Sequence, residues 1–108
     1  MIPKASENLP GYKNWLNSLT ALPVGTMISW TAGYKGVTLA GTVKPGQFTK
    51  VVRVRKSNGV SDLPVHAQVY ELVSCTSSGK EFKAKFYWRV GNMAHLLAEG
   101  TATIANNG

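Results

Sequence analysis

The run Phe82-Lys83-Ala84-Lys85-Phe86-Tyr87-Trp88-Arg89-Val90 alternates apolar and polar residues more clearly than any other stretch of the chain. In an extended strand, successive side chains point to opposite sides. Phe82, Ala84, Phe86, Trp88 and Val90 then form an apolar row that belongs in a core. Lys83, Lys85, Tyr87 and Arg89 form a basic row, with one ring in it, that belongs at the surface. Cations interleaved with an aromatic ring suit a sugar-phosphate backbone with unstacked bases, where stacking contributes about 1 to 3 kcal/mol per base. The plainer alternative is a solvated sheet face whose lysines discourage edge pairing.

A second basic strand is expected over Lys50 to Lys56. There Val52 and Val54 share a face with Lys50 and Lys56, while Arg53 and Arg55 project together from the opposite face. If the two strands lie in one sheet, at least four cations line one surface, enough for a phosphate track with marked salt dependence. The phosphate candidates are therefore Arg53, Arg55, Lys83, Lys85 and Arg89, with Lys50 and Lys56 in support. Tyr87 is the first stacking candidate. Tyr34, beside Lys35 in a glycine-flanked turn, and Phe48, between Lys44 and Lys50, could reach a base or fold back over one end of the domain.

Other chemistries are poorly provided for. Glu7, Asp62, Glu71, Glu81 and Glu99 are scattered, and His66 and His95 are the only histidines. Asp62 and His66 are four apart, but Pro64 argues against the helix that would align them. One cysteine, Cys75, excludes an intrachain disulfide, and with two separated histidines it offers no zinc-ligand cluster. Ser78-Gly79-Lys80-Glu81 lacks both the earlier glycine and the following Ser or Thr of a phosphate loop. The reading is a protein that is not an enzyme and takes no cofactor or metal. No helix-turn-helix or zinc-finger pattern points to major-groove reading.

The elements that must carry these faces come next. Tyr12, Trp15, Leu16, Leu19 and Leu22 recur at helical spacing, which predicts an amphipathic helix over 10–22, closed by Pro23, that lays Trp15 and Leu19 on a sheet. From Thr26 the period becomes two, and residues 26–104 form a β-rich core within a single domain, 1–108. Strands are expected over Thr26 to Thr31, Val37 to Lys44, Lys50 to Lys56, Val65 to Val73 and Lys80 to Val90, with Asn58-Gly59 in a loop. Gly91-Asn92 suggests a hairpin turn, and Met93 to Ala98 fits either a strand or a short helix ended by Gly100. The fold class is mainly β with an N-terminal α-helix, as a small barrel or a strongly twisted antiparallel sheet. Thr26 to Val43, read as strand, glycine turn and strand, resembles SH3-like or OB-like small barrels, at the level of fold analogy alone.

Twelve Lys and Arg against five Asp and Glu give a net charge of +7, for which an anionic partner is the simplest reason. The lone cysteine fits a reducing, intracellular setting, and Met1 to Gly25 lacks the apolar run of a signal or membrane segment. The function expected is non-enzymatic coating of single-stranded DNA, or secondly RNA, with little sequence preference, by a homodimer or higher oligomer. The competing expectation is a small viral or mobile-element module that binds an acidic protein surface, or a subunit of a larger assembly.

Overall fold

The structure is a computed structural model that describes residues 2–35 and 42–105. Ten elements follow one another among the described residues, and the first is α1 (Leu9–Asn17). The Asn8 side chain accepts a hydrogen bond from the Gly11 N–H at 3.0 Å, and Pro10 sits in the first turn, where a missing amide costs nothing. The helix stops five residues before its expected end. Ser18 turns its hydroxyl back onto the Trp15 carbonyl, and the Leu22 N–H is engaged by the Tyr70 hydroxyl at 2.8 Å. Residues 19–22 thus run irregularly, with Ala21 and Leu22 packed on the core. Trp15 meets His95 edge to face at 4.9 Å instead of lying on a strand.

The strands are β1 (Met27–Trp30), β2 (Tyr34–Lys35), β3 (Thr42–Val43), β4 (Phe48–Arg55), β5 (Val69–Cys75), β6 (Glu81–Arg89) and β7 (Ala102–Ile104). A short 3-10 turn (Val65–Ala67) precedes β5 and takes the start of the strand expected there. The expected strand from Val37 falls largely outside the described residues, and what is described of that region is the β2–β3 pair. Five strands form one antiparallel sheet in the order β6-β5-β4-β1-β7. The sheet is open at β6 and β7, so the twisted-sheet expectation holds and closure into a barrel does not.

The hairpin expected at Gly91-Asn92 is instead the first turn of α2 (Val90–Glu99), which follows β6 without a loop. The Val90 N–H still bonds the Gln68 carbonyl at 2.9 Å, so the last ladder bond and the first helical residue coincide. Val90, Met93 and Leu96 are buried at spacings of three, the apolar stripe of a helix. Gly100 ends it at φ +81, a left-handed position that glycine adopts without the Cβ clash, with the Thr101 N–H closing onto Leu96.

One face of the sheet is covered by α2, the 3-10 turn and the β2–β3 hairpin, and there the core gathers around Ile28, Trp30, Val51, Tyr70, Leu72, Phe86 and Trp88. Trp30 donates to Thr49 Oγ1 at 3.0 Å and stacks on Tyr34 at 6.1 Å. Trp88 lies between Trp30 and Phe86 at 5.3 and 5.4 Å, with its Nε1 buried and without a hydrogen-bond partner among the described residues. Of the expected apolar row, Phe86, Trp88 and Val90 are core, whereas Phe82 and Ala84 are exposed.

Burial pushes the Tyr70 phenol above its ordinary value of 10.0, with the bond from the Leu22 N–H pulling the other way. The unfolded chain therefore releases this proton first. The stabilisation carried by the neutral phenol is complete below about pH 10 and drains away as pH rises through the folded value. Urea midpoints measured across that range are expected to fall. Tyr70→Phe should show a smaller alkaline decline, from a starting stability about 1 kcal/mol lower because the Leu22 bond is gone.

Candidate nucleic-acid interface

The other face of the sheet carries no helix among the described residues, and its composition follows from strand register. Arg55 and Arg89 stand opposite Val69 on either side of β5, and Arg53 and Tyr87 stand opposite Glu71. Lys50 and Lys85 flank Val73 in the same way, and beyond them Phe48 and Glu81 flank Cys75. The two basic strands are thus separated by one strand, and their cations lie about 10 Å apart across the face. Arg53, Arg55, Lys85 and Arg89 are exposed.

A single irregularity produces this alignment. Val51 pairs with Leu72 and Arg53 with Glu71, leaving Val52 as an extra residue, a β-bulge. Before the bulge, Thr49 and Val51 face the core and Lys50 faces out. After it, Val54 faces the core while Arg53 and Arg55 face out. The sequence period puts Lys50 on the face opposite the two arginines, and the bulge brings all three together. It occurs where β4 leaves β1, with Val51 exchanging backbone bonds with Gly25 and Thr26 at 2.8 and 2.9 Å.

Between the cations lies a recess of about 350 Å³ lined by Arg53, Arg55, Val69, Glu71 and Tyr87. The Tyr87 hydroxyl donates to Glu71 Oε1 at 3.3 Å, which steers the end of the ring and leaves its flank beside Arg89 and Lys85. Glu71 and Val69 were not among the sequence candidates. The single acid in a mostly apolar β5 is the signal that could have pointed to Glu71.

The remaining candidates divide. Lys50 reaches Glu81 at 3.0 Å, the one ion pair among the described residues, and the turn at Gly79 folds over it. Phe48 is half-buried at that end of the face, next to Cys75. Burial pushes the Cys75 thiol up, Lys50 opposes this and Glu81 adds to it. Lys83 is exposed on β6, where no β5 residue pairs with it. Lys56 lies past the end of β4, in a groove with Ala21 and Pro23. Tyr34 is on the opposite side of the sheet, its ring against Trp30 and Trp88 and its hydroxyl accepting from Asn92 Nδ2 at 3.0 Å, so it folds back instead of reaching out.

Among the described residues no group of three or more His, Cys, Asp or Glu could hold a metal ion, and no helix is long and apolar enough to cross a membrane. A scan against protein-family models, a search of curated proteins and a search of solved structures each return no significant match.

Deleting Val52 removes the bulge yet leaves Arg53 and Arg55 facing out, because Arg53 then follows Val51 directly, whereas inserting one more residue after Val52, with the bulge retained, should turn both arginines toward the core. The expected result of the insertion is loss of the cooperative unfolding transition, whereas the deletion should retain a cooperative transition and Val52→Thr, which keeps the residue count, should retain it within about 1 kcal/mol.

Proposed function

We propose that this protein binds single-stranded nucleic acid, DNA in the first instance and RNA as its nearest alternative, along the uncovered face of the sheet. The observation that carries this reading is the common orientation of Arg53, Arg55, Lys85 and Arg89 on both sides of β5. Phosphates follow the two cationic margins, Arg53 and Arg55 on β4 and Lys85 and Arg89 on β6. The Tyr87 ring offers a platform for a base. Contacts of this kind go to the backbone and carry little sequence information. Glu71, centred between the margins, repels phosphate from the middle of the face and holds Tyr87 by its hydroxyl.

Fluorescence anisotropy with labelled single- and double-stranded DNA and single-stranded RNA of equal length, titrated at several salt concentrations, tests the reading. Wild-type protein should prefer single strands and weaken steeply with salt. Replacing Lys83, Lys85 and Arg89 together by Ala should weaken binding and flatten the log-log salt slope by about 0.7 for each phosphate no longer neutralised. Unchanged affinity and slope would remove these residues from the interface.

Glu71→Gln gives the opposite sign. Loss of the central negative charge should tighten binding at low salt by a few-fold, an effect that shrinks as salt rises. A weaker complex would mean that Glu71 contributes chiefly by holding Tyr87, which Tyr87→Phe would then reproduce.

A further inference from the structure

The free edge of β6 carries an inference that does not depend on nucleic acid. Glu81–Arg89 is a nine-residue outermost strand without proline, whereas the opposite edge, β7, has three residues. A long edge without proline is a template for another strand. The ladder shows which groups it presents. Because the Val90 N–H bonds the Gln68 carbonyl, the even-numbered residues Trp88 and Phe86 direct their backbone groups to β5. Those of Lys85 and Tyr87 consequently point outward, away from the sheet. Phe82, Lys83 and Ala84 have no ladder partner in β5 at all, yet the strand stays extended through them.

We infer that β6 pairs antiparallel with β6 of a second copy, about a two-fold axis at Lys85, to make one ten-stranded sheet. Three observations choose this occupant and this register. First, Phe82 is 51% exposed and Ala84 is exposed, and the alternation of an extended strand puts both on the side of Phe86 and Trp88. An antiparallel copy brings the end of its own β6, and the α2 that follows directly, alongside that uncovered half, setting Phe82 opposite the second copy's Trp88 and Ala84 opposite its Phe86. The patch left bare in one molecule is thus closed by the element that ends the same strand in the other.

Second, this register uses the whole strand, Glu81 opposite Arg89. Third, it gives the mildest charge pattern on the outer side. Glu81 meets Arg89 at both ends, Lys83 meets Tyr87, and only Lys85 meets its own copy. An axis at Tyr87 shortens the ladder and sets Lys85 against Arg89 twice. Opposite charges across strands are favourable and like charges are not. In the resulting dimer the β6 margins of the two basic faces become neighbours, giving one continuous surface.

Sedimentation velocity over a concentration series, on nucleic-acid-free protein, is the test. The expected species has twice the 11.6 kDa chain mass. Phe82→Glu and Ala84→Glu, both at positions exposed in the single chain, should weaken association by about tenfold or more by placing an unpaired charge at the contact, with circular dichroism unchanged. Under mild oxidation Lys85→Cys should form an interchain disulfide, since facing residues of a hydrogen-bonded pair lie about 5.5 Å apart. A wild-type chain that stays monomeric at every concentration, or a dimer indifferent to both Glu variants, overturns the pairing. Stronger cross-linking at Tyr87→Cys than at Lys85→Cys overturns the register. The mass measurement contains no oligonucleotide and the anisotropy titration is made on the same protein, so either proposal can fail while the other stands.

Discussion

The extra residue at Val52 is the constraint on which the arrangement of this molecule turns. A strand in which side chains alternate strictly cannot place Lys50, Arg53 and Arg55 on one side and Thr49, Val51 and Val54 on the other. Inserting one residue where β4 parts from β1 resolves this, and the cations face water while the aliphatic residues face the core. Without the bulge, either two arginines would enter an apolar layer, at a cost of several kcal/mol each, or the valines would leave it. The local bend also follows from the change of neighbours, since β4 is flanked by β1 before the bulge and by residues 21–25 near it.

The two faces of the sheet are stabilised by different means. On the covered side, rings in contact do most of the packing. Trp30, Tyr34, Phe86 and Trp88 form a chain of stacked and tilted pairs at 5.3 to 6.1 Å, and the polar ends of Trp30 and Tyr34 are bonded to Thr49 and Asn92. Trp88 contributes area at the cost of an unbonded N–H. On the open side, like charges are tolerated because strands space them and because Glu71 and Glu81 sit among them. The repulsion that remains is screened in salt and would be relieved by a polyanion.

Much of this was legible in the sequence, for identifiable reasons. The alternation in 82–90 correctly assigned Phe86 and Trp88 to the core and Lys83, Lys85 and Arg89 to the surface, since that half of the strand has one dry and one wet side. Ile28 and Trp30, two apart on β1, share the buried face by the same alternation. The bulge was not legible, because valines at 51, 52 and 54 satisfy the apolar requirement in either phase. The helix at 90–99 was legible only as one of two readings of Met93 to Ala98, because its first residues continue the alternation of β6 and its start has no side-chain cap. Helix α1 is where its periodicity puts it but ends sooner, because Leu19 and Leu22 keep helical spacing while Leu22 is in fact tied to Tyr70. Tyr34 carries no local signal that distinguishes an outward ring from one folded onto Trp30.

The route of the chain from β6 to β7 governs how the molecule can be assembled in time. Strands β4, β5 and β6 are consecutive neighbours in chain and sheet and can zip together in order as they emerge. The inner strand β1, by contrast, is made before them and keeps one side vacant until residues 102–104 arrive, carried across the sheet by α2 from the far edge. Closing that last gap joins residues more than seventy positions apart, as in Ile28 with Ile104. Such long-range closure slows folding relative to the local zipping that precedes it. During synthesis β1 therefore spends the longest time with an unsatisfied flank, and a chain delayed at that stage presents two open edges, where the finished molecule has only one long edge.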